Sequence, residues 1–448
     1  MEDIVDTSLV VLGGIGLMLL IQGTLRVQDR ALVWLAFVLR IVSAVAMVQL
    51  TVGILGGGDM INYHKVGVAL SDRLGQDFET VAPVMARVLI HEPIPLPVPA
   101  HGIGSATGAM NSASGFVVFL GGRSIYGACA MVGFAAFFTG LAMYQALREE
   151  LPEASAPRLL VSCLLVPSVV FWSSALLKES IVLSGVFAMV VGGQWMARHH
   201  RFITGGIAMA AGAFIVAILK AYILVPFGVA AGVWFYMIAL RREGAPHLKA
   251  INLVLGSIVA VVLILGTGKL FPEYSIETFP EEAARHQEIG TRFSGDADYM
   301  LADEVGLENA DDRSMPAQVA LAPLALVTAL FRPFIFEASN AQMLLNCTET
   351  SAILGLAILA GYRQGLRGII KRLSKSPLLM FCLVFACGLG LGVGLATTNL
   401  GTLSRYRMPL VPFFVILLFE LGAPDAASDD LPAADRLQVP DPVSAPAE

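Results

Sequence analysis

The run Leu378-Leu379-Met380-Phe381-Cys382-Leu383-Val384-Phe385-Ala386-Cys387-Gly388-Leu389-Gly390-Leu391-Gly392-Val393-Gly394-Leu395-Ala396-Thr397 holds no charged residue. After Thr398 comes Asn399-Leu400-Gly401-Thr402-Leu403-Ser404-Arg405-Tyr406-Arg407-Met408-Pro409-Leu410-Val411-Pro412, which opens a second apolar run. An uncharged stretch of this length, wound as a helix rising about 1.5 Å per residue, matches a hydrocarbon core of about 30 Å. Two arginines one residue apart at its edge are costly near lipid unless they snorkel or bind an anion. The fold follows from the first stretch, and the search for a site starts from the second.

The same pattern recurs along the chain. Apolar residues make up 56% of the 448, charged residues only 14%, and the mean hydropathy is +0.73. A soluble domain carries about 25% charged residues, so a polytopic all-α membrane protein is expected. Runs long enough to span cover 8–24, 31–55, 125–147, 159–176, 180–197, 202–220, 221–240, 249–267, 341–361, 378–397 and 406–421, predicting about eleven spanning helices. Two further segments, 102–122 and 317–331, would raise the number to thirteen. The first is rich in Gly, Ser, Ala and Asn and the second is short, so both are expected to be re-entrant or interfacial.

Charge asymmetry gives the orientation. The segment 363–376 carries Arg363, Arg367, Lys371, Arg372 and Lys375 and no acid, which places it in the cytoplasm. Counting back from it puts Arg26, Arg30, Arg198, Arg201, Arg241 and Arg242 inside. The acidic N-terminus and the segment 268–316, with 12 acidic and 4 basic residues, then lie outside. That N-terminus is unlike a cleavable signal peptide, whose start is basic. The expected organisation is one transmembrane domain over 1–421 with larger extracytoplasmic loops at about 56–124 and 268–340. A disordered cytoplasmic tail follows over 422–448, rich in Pro, Ala and Asp. The five cysteines sit in apolar stretches without metal-ligand spacing and read as small buried hydrophobes.

Four groups of residues stand out on the expected outer side. Asp59 follows the second span in Gly56-Gly57-Gly58-Asp59-Met60-Ile61-Asn62-Tyr63-His64. Its carboxylate suits proton abstraction from a hydroxyl, or a divalent cation such as Mg2+ or Mn2+ held against a phosphate; the plainer role is a helix cap. On a helix Tyr63 shares the Asp59 face, while His64 points about 140° away. Lys178-Glu179 forms a tight outer turn, explained either by an interfacial charge pair beside Trp172 or by a phosphate contact oriented by Glu179. Arg332 and Glu337 bracket Pro333, Phe334 and Phe336, with Phe331 just before them, a mixture suited to a polar head and an apolar tail or to an ordinary interfacial belt. Arg405 and Arg407, with Tyr406 between them, diverge by about 200° on a helix. In an extended turn they would converge, and guanidinium forks match phosphate oxygens. Arg40 and Lys220 are further basic residues inside or between apolar runs.

Taken together these residues resemble the integral-membrane glycosyltransferases of the C-type (GT-C) fold, which use polyprenyl-phosphate-linked sugars, and in particular members associated with bacterial surface polysaccharide. The resemblance rests on Gly58-Asp59 with Tyr63-His64, Pro167 with Phe171-Trp172-Ser173-Ser174 and Lys178-Glu179, Leu330-Phe331-Arg332-Pro333-Phe334, and Arg405-Tyr406-Arg407-Met408-Pro409. It covers most of 31–420. It implies a multi-pass protein of the bacterial inner membrane acting at the extracytoplasmic face in cell-envelope assembly. A sugar would pass from a polyprenyl phosphate to a glycan or lipid acceptor, with polysaccharide-assembly proteins as further partners and nucleic acid not among them. Asp59 would deprotonate the acceptor or help bind a cation, Arg405 and Arg407 would hold the donor phosphate, and Glu179 would be a second carboxylate. The chain departs from the pattern where Glu179 stands for a more typical Asp, and where the span 8–24 precedes the similar region. A polymerase or ligase using a lipid diphosphate, a flippase of lipid-linked intermediates and a non-catalytic assembly partner are the alternatives.

Overall fold

The computed structural model describes residues 2–151, 155–241, 250–251, 254, 256–259, 261–263, 315–338 and 341–424. The chain is an all-α polytopic membrane protein. Its helices are α1 (Glu2–Ile21), α2 (Val27–Gln49, ending in a π-turn over Leu50–Leu55), α3 (Asp59–Gln76), α4 (Phe78–Leu89), α5 (Ala106–Gly121) and α6 (Ile125–Leu147). Then come α7 (Ala156–Leu164), α8 (Pro167–Trp172), α9 (Lys178–His199), α10 (Phe202–Lys220) and α11 (Leu224–Arg241). The last five are α12 (Met315–Phe331), α13 (Ala341–Lys375), α14 (Pro377–Ala396), α15 (Leu400–Tyr406) and α16 (Val411–Gly422).

The expected count of eleven to thirteen spans is too high. Among the described residues seven helical runs are long and apolar enough to cross a membrane, or eight if the bent pair α15–α16 is one span. The reasons are local. The expected span 159–176 is two short helices, α7 and α8, broken ahead of Pro167, whose ring cannot continue a helix. The expected span 406–421 bends by 78° between α15 and α16, where Pro409 falls, with Pro412 in the first turn of α16. The spans 202–220 and 221–240 are α10 and α11, two legs of one helical run, Phe202–Arg241, that counts once among the seven. That run turns back at Lys220: a Cβ on Gly193 would lie 3.2 Å from Met209 and 3.1 Å from Trp234, two residues that a straight helix would hold far apart. The segments 102–122 and 317–331 form α5, of 16 residues, and α12, whose apolar part Gln318–Phe331 is likewise short. Nine residues of 249–267, the segment 268–314 and the stretch from 425 lie outside the described residues.

Sequence signals set the helix starts. Ser105, Ser124, Ser376 and Asn399 each accept a bond from a free first-turn amide of α5, α6, α14 and α15, and Pro377 occupies the first position of α14. The centre is aromatic, with Phe227, Trp234, Phe381, Phe385 and Phe413 packed at ring-centroid distances of 5.1–5.9 Å. Beside it α9 and α10 meet backbone to backbone: a Cβ on Gly212 would come within 2.4 Å of the Gly185 carbonyl, and one on Gly192 within 2.5 Å of that of Gly205. Glycine is what lets two membrane helices approach so closely.

The short helix α8 is held at both ends by charge. Glu349 of α13 accepts from the Ser168 amide and from the Ser168 hydroxyl, each at 2.6 Å, at the amide-rich start of α8. At its other end the buried Arg40 of α2 donates to the Ser173 hydroxyl and reaches the Val169 and Val170 carbonyls at 3.5 Å. An anion at the N-terminus and a cation at the C-terminus satisfy backbone groups that lipid cannot, and they oppose the helix dipole. The chain that leaves α8 so fixed leads directly to Lys178 and Glu179.

Arginines gather at one end of the bundle: Arg198 pairs with Glu150 at 2.6 Å, Arg158 with Glu420 at 3.3 Å, and Arg241 donates to the Ser374 and Lys375 carbonyls. Gly365, at φ +58, kinks α13 and turns its basic last segment away from the apolar part. The N-terminus of α1 lies at the other end, where Asp6 accepts from the Arg123 amide at 2.7 Å and Arg123 in turn binds Asp72.

Candidate functional site

At the end away from these arginines, five charged side chains from four helices meet. Gly56 and Gly58 adopt φ of +67° and +132°, conformations open to glycine, and turn the chain so that α3 begins at Asp59. Gly58 occupies the cap position without a side-chain bond, so Asp59 is not the helix cap its sequence context allowed. Its carboxylate accepts instead from Arg405 Nη1 at 3.1 Å and is 52% exposed. Arg405 Nε lies 3.1 Å from Glu179 Oε1, and Lys220 Nζ lies 2.9 Å from the same oxygen. Glu179 and Lys220 are buried, at 3% and 7% exposure. Lys178 donates to the Thr107 hydroxyl at 2.9 Å, at the start of α5.

The arrangement is layered. Glu179 and Lys220 form a desolvated floor whose charges neutralise one another; Arg405 stands on that floor and reaches up to the accessible Asp59. Tyr406 closes one flank, its ring centroid 3.6 Å from Lys220 Nζ, a cation–π contact that strengthens as water is excluded. Tyr63 is buried beside the group, and burial together with the charges of Asp59 and Glu179 holds its hydroxyl above the ordinary tyrosine range. It therefore stays a protonated donor at neutral pH. Three cations face two carboxylates, which leaves a positive balance suited to an anion.

The remaining residues singled out in the sequence lie elsewhere. His64 shares a bond of 2.9 Å with the Arg123 carbonyl, and burial lowers its pKa from the ordinary histidine value; it is not in the charged group. Arg405 and Arg407 do not converge, because α15 stays helical through Tyr406 and sends them to different sides. Arg407 is buried and donates to the Ala329 carbonyl at 3.4 Å and to that of Arg332. Arg332 Nε donates to Glu337 at 2.8 Å, and Glu337 also accepts from the Phe334 amide at 2.7 Å. Arg332, Glu337 and Arg407 thus fasten the loop after α12 to α15.

Lys220 and Thr107 enter the group although the sequence reading did not place them there. Lys220 had a visible signal, a lone cation between two apolar runs; Thr107 had none. Among the described residues no three His, Cys, Asp or Glu side chains gather as a metal would require, and the nearest cation to Asp59 is Arg405. No family model, curated protein or solved structure matches this chain.

Proposed function

We propose that this protein transfers a sugar from a polyprenyl-phosphate donor to an acceptor hydroxyl, with inversion, at the outer face of the bacterial inner membrane. The observation that carries the reading is Arg405 bridging the exposed Asp59 and the buried Glu179, with Lys178 alongside. The arginine-rich end is then cytoplasmic, as positive-inside bias requires, and the charged group faces outward.

In this reaction the acceptor oxygen attacks the anomeric carbon and Asp59 takes its proton. The new carbon–oxygen bond forms as the bond to the phosphate oxygen breaks, and that oxygen leaves with the electron pair. As Asp59 becomes neutral its hold on Arg405 weakens, so the guanidinium, still anchored by Glu179, is free to meet the charge growing on the phosphate. Lys178 supplies the second cation. Groups fixed in place before charge develops stabilise it more than mobile water does. Lys220 is neutralised by Glu179, which leaves Lys178 and Arg405 for the headgroup and favours a monophosphate over a diphosphate donor.

The test is sugar transfer from synthetic polyprenyl-phosphate donors by the purified full chain. Asp59→Asn is expected to lower turnover by about 10²-fold or more, within the range for losing a general base, while donor binding persists. Unchanged turnover in Asp59→Asn, or lipid movement across vesicles with no covalent product, would remove the proposal.

A further inference from the structure

At the arginine-rich end, remote from the charged group, the turn between α1 and α2 and the end of α6 enclose a cleft of about 400 Å³ lined by Thr24, Arg26, Gln145, Arg148, Glu149 and Leu151. Two guanidiniums, an amide, a hydroxyl and the Glu149 carboxylate line one space, with Gln145 Nε2 donating to the Thr24 hydroxyl at 3.3 Å. Among the described residues two acidic groups lie near it, and Arg148 is itself paired with one of them. Asp29 accepts from Tyr144 at 2.7 Å and lies 3.4 Å from Arg148, and Glu149 lies 3.3 Å from His199. Asp29 and Tyr144 hold Arg148 from behind, so its position is set by the bundle. Arg26, at the break between the two helices, is exposed.

We propose that this cleft binds a phosphate-bearing anion, presented as the headgroup of an anionic membrane lipid. The apolar surroundings favour a lipid over free phosphate. Leu20, 81% exposed, lies one turn before Thr24 on α1, and Val27, 78% exposed, follows Arg26. They give acyl chains a surface beside the polar cleft. Helix α1 itself has only 11% of its apolar window buried, so hydrocarbon covers its flank up to the mouth of the cleft. The guanidiniums lie at the ends of spanning runs, Arg26 between the first two and Arg148 in the last turn of Ile125–Glu150, and a guanidinium matches phosphate oxygens in pairs. This site is independent of the transfer reaction.

The full chain in neutral detergent is titrated with dihexanoyl phosphatidylglycerol, dihexanoyl phosphatidylcholine or inorganic phosphate, with bound lipid read by native mass spectrometry and thermal unfolding followed in parallel. Phosphatidylglycerol is expected to bind in preference to phosphatidylcholine. Arg26→Gln is expected to weaken that binding about fivefold, the weight of one basic residue at an anionic surface. Arg367→Gln, which removes an exposed arginine of the same end outside the cleft, is expected to leave it unchanged. Gln145→Leu supplies a second cleft variant and is expected to weaken binding in the same direction. Equal binding by wild type and both cleft variants, or an equal loss in Arg367→Gln, overturns the site. Saturation by inorganic phosphate at the affinity of phosphatidylglycerol overturns the lipid assignment.

Discussion

The ammonium of Lys220 lies 2.9 Å from the carboxylate of Glu179, the two side chains coming from different helices and both being nearly sealed from solvent. The lysine terminates α10 where the chain reverses, and the glutamate sits in the first turn of α9, so the pair ties a reversal to a helix start. Arg405 joins at 3.1 Å, which gives Glu179 two cations. Glu179 is consequently the hub, and its loss orphans more charge than the loss of either partner.

Glu179→Gln is therefore expected to destabilise the protein more than Lys220→Met. Breaking a buried pair from one side costs about 3–5 kcal/mol, with the glutamine variant at the upper end and the methionine variant below the range because Arg405 still balances Glu179. The double variant should recover part of the Glu179→Gln loss. Thermal unfolding monitored by a thiol-reactive dye suits this chain, since Cys129, Cys163, Cys347 and Cys382 are free and buried. Equal melting of the two single variants would contradict the ordering.

The clamp on α8 gives a second expectation. Arg40→Met and Glu349→Gln each remove a charge from one end of the same six-residue helix and should each cost about 1–2 kcal/mol. Once one end is released the other clamp has less to hold, so the double variant should cost less than the sum. Strict additivity, measured by the same unfolding assay, would show that α8 does not respond as a unit.

Packing of α9 on α10 predicts an asymmetry between two glycines of one helix. Gly212→Val forces a side chain into the Gly185 carbonyl and should cost about 1–3 kcal/mol and lower the yield of folded protein. Gly206→Ala, where nothing lies within 4 Å of the new Cβ, should be neutral or stabilising by up to about 1 kcal/mol through helix propensity. Yield and melting temperature in detergent distinguish the two.

Stability should also fall on mild acidification through His64. Its folded-state pKa is lowered by burial, so the unfolded chain takes up a proton first as pH drops through about 6.5. The contribution is fully present above that pH and is lost as pH falls toward the folded value. His64→Gln should flatten the dependence of melting temperature on pH in this window without altering it above neutrality; an unchanged slope would assign the effect to other groups.

The apolar runs at 8–24, 31–55, 125–147, 180–197 and 378–397 correspond to long helices that could be read directly, because hydropathy over a spanning length is a property of the residues themselves. Asp59, Lys178, Glu179 and Arg405 were legible for the same reason: charge beside apolar sequence is conspicuous whatever it contacts. The division of labour between Arg405 and Arg407 was not, since whether α15 stays helical through Tyr406 decides whether their forks meet or part.

Composition and charge placement thus determined by themselves that this chain enters a membrane as helices and which polar residues need partners there. The tertiary structure decided where the helices break and which partners those are. An averaged apolar window is blind to a carboxylate from α13 and a guanidinium from α2 capping a short helix from both sides. It is equally blind to a lysine ending one helix against a glutamate that begins another. Such pairings join residues far apart in the chain, and their energy exists only once the bundle has excluded water around them.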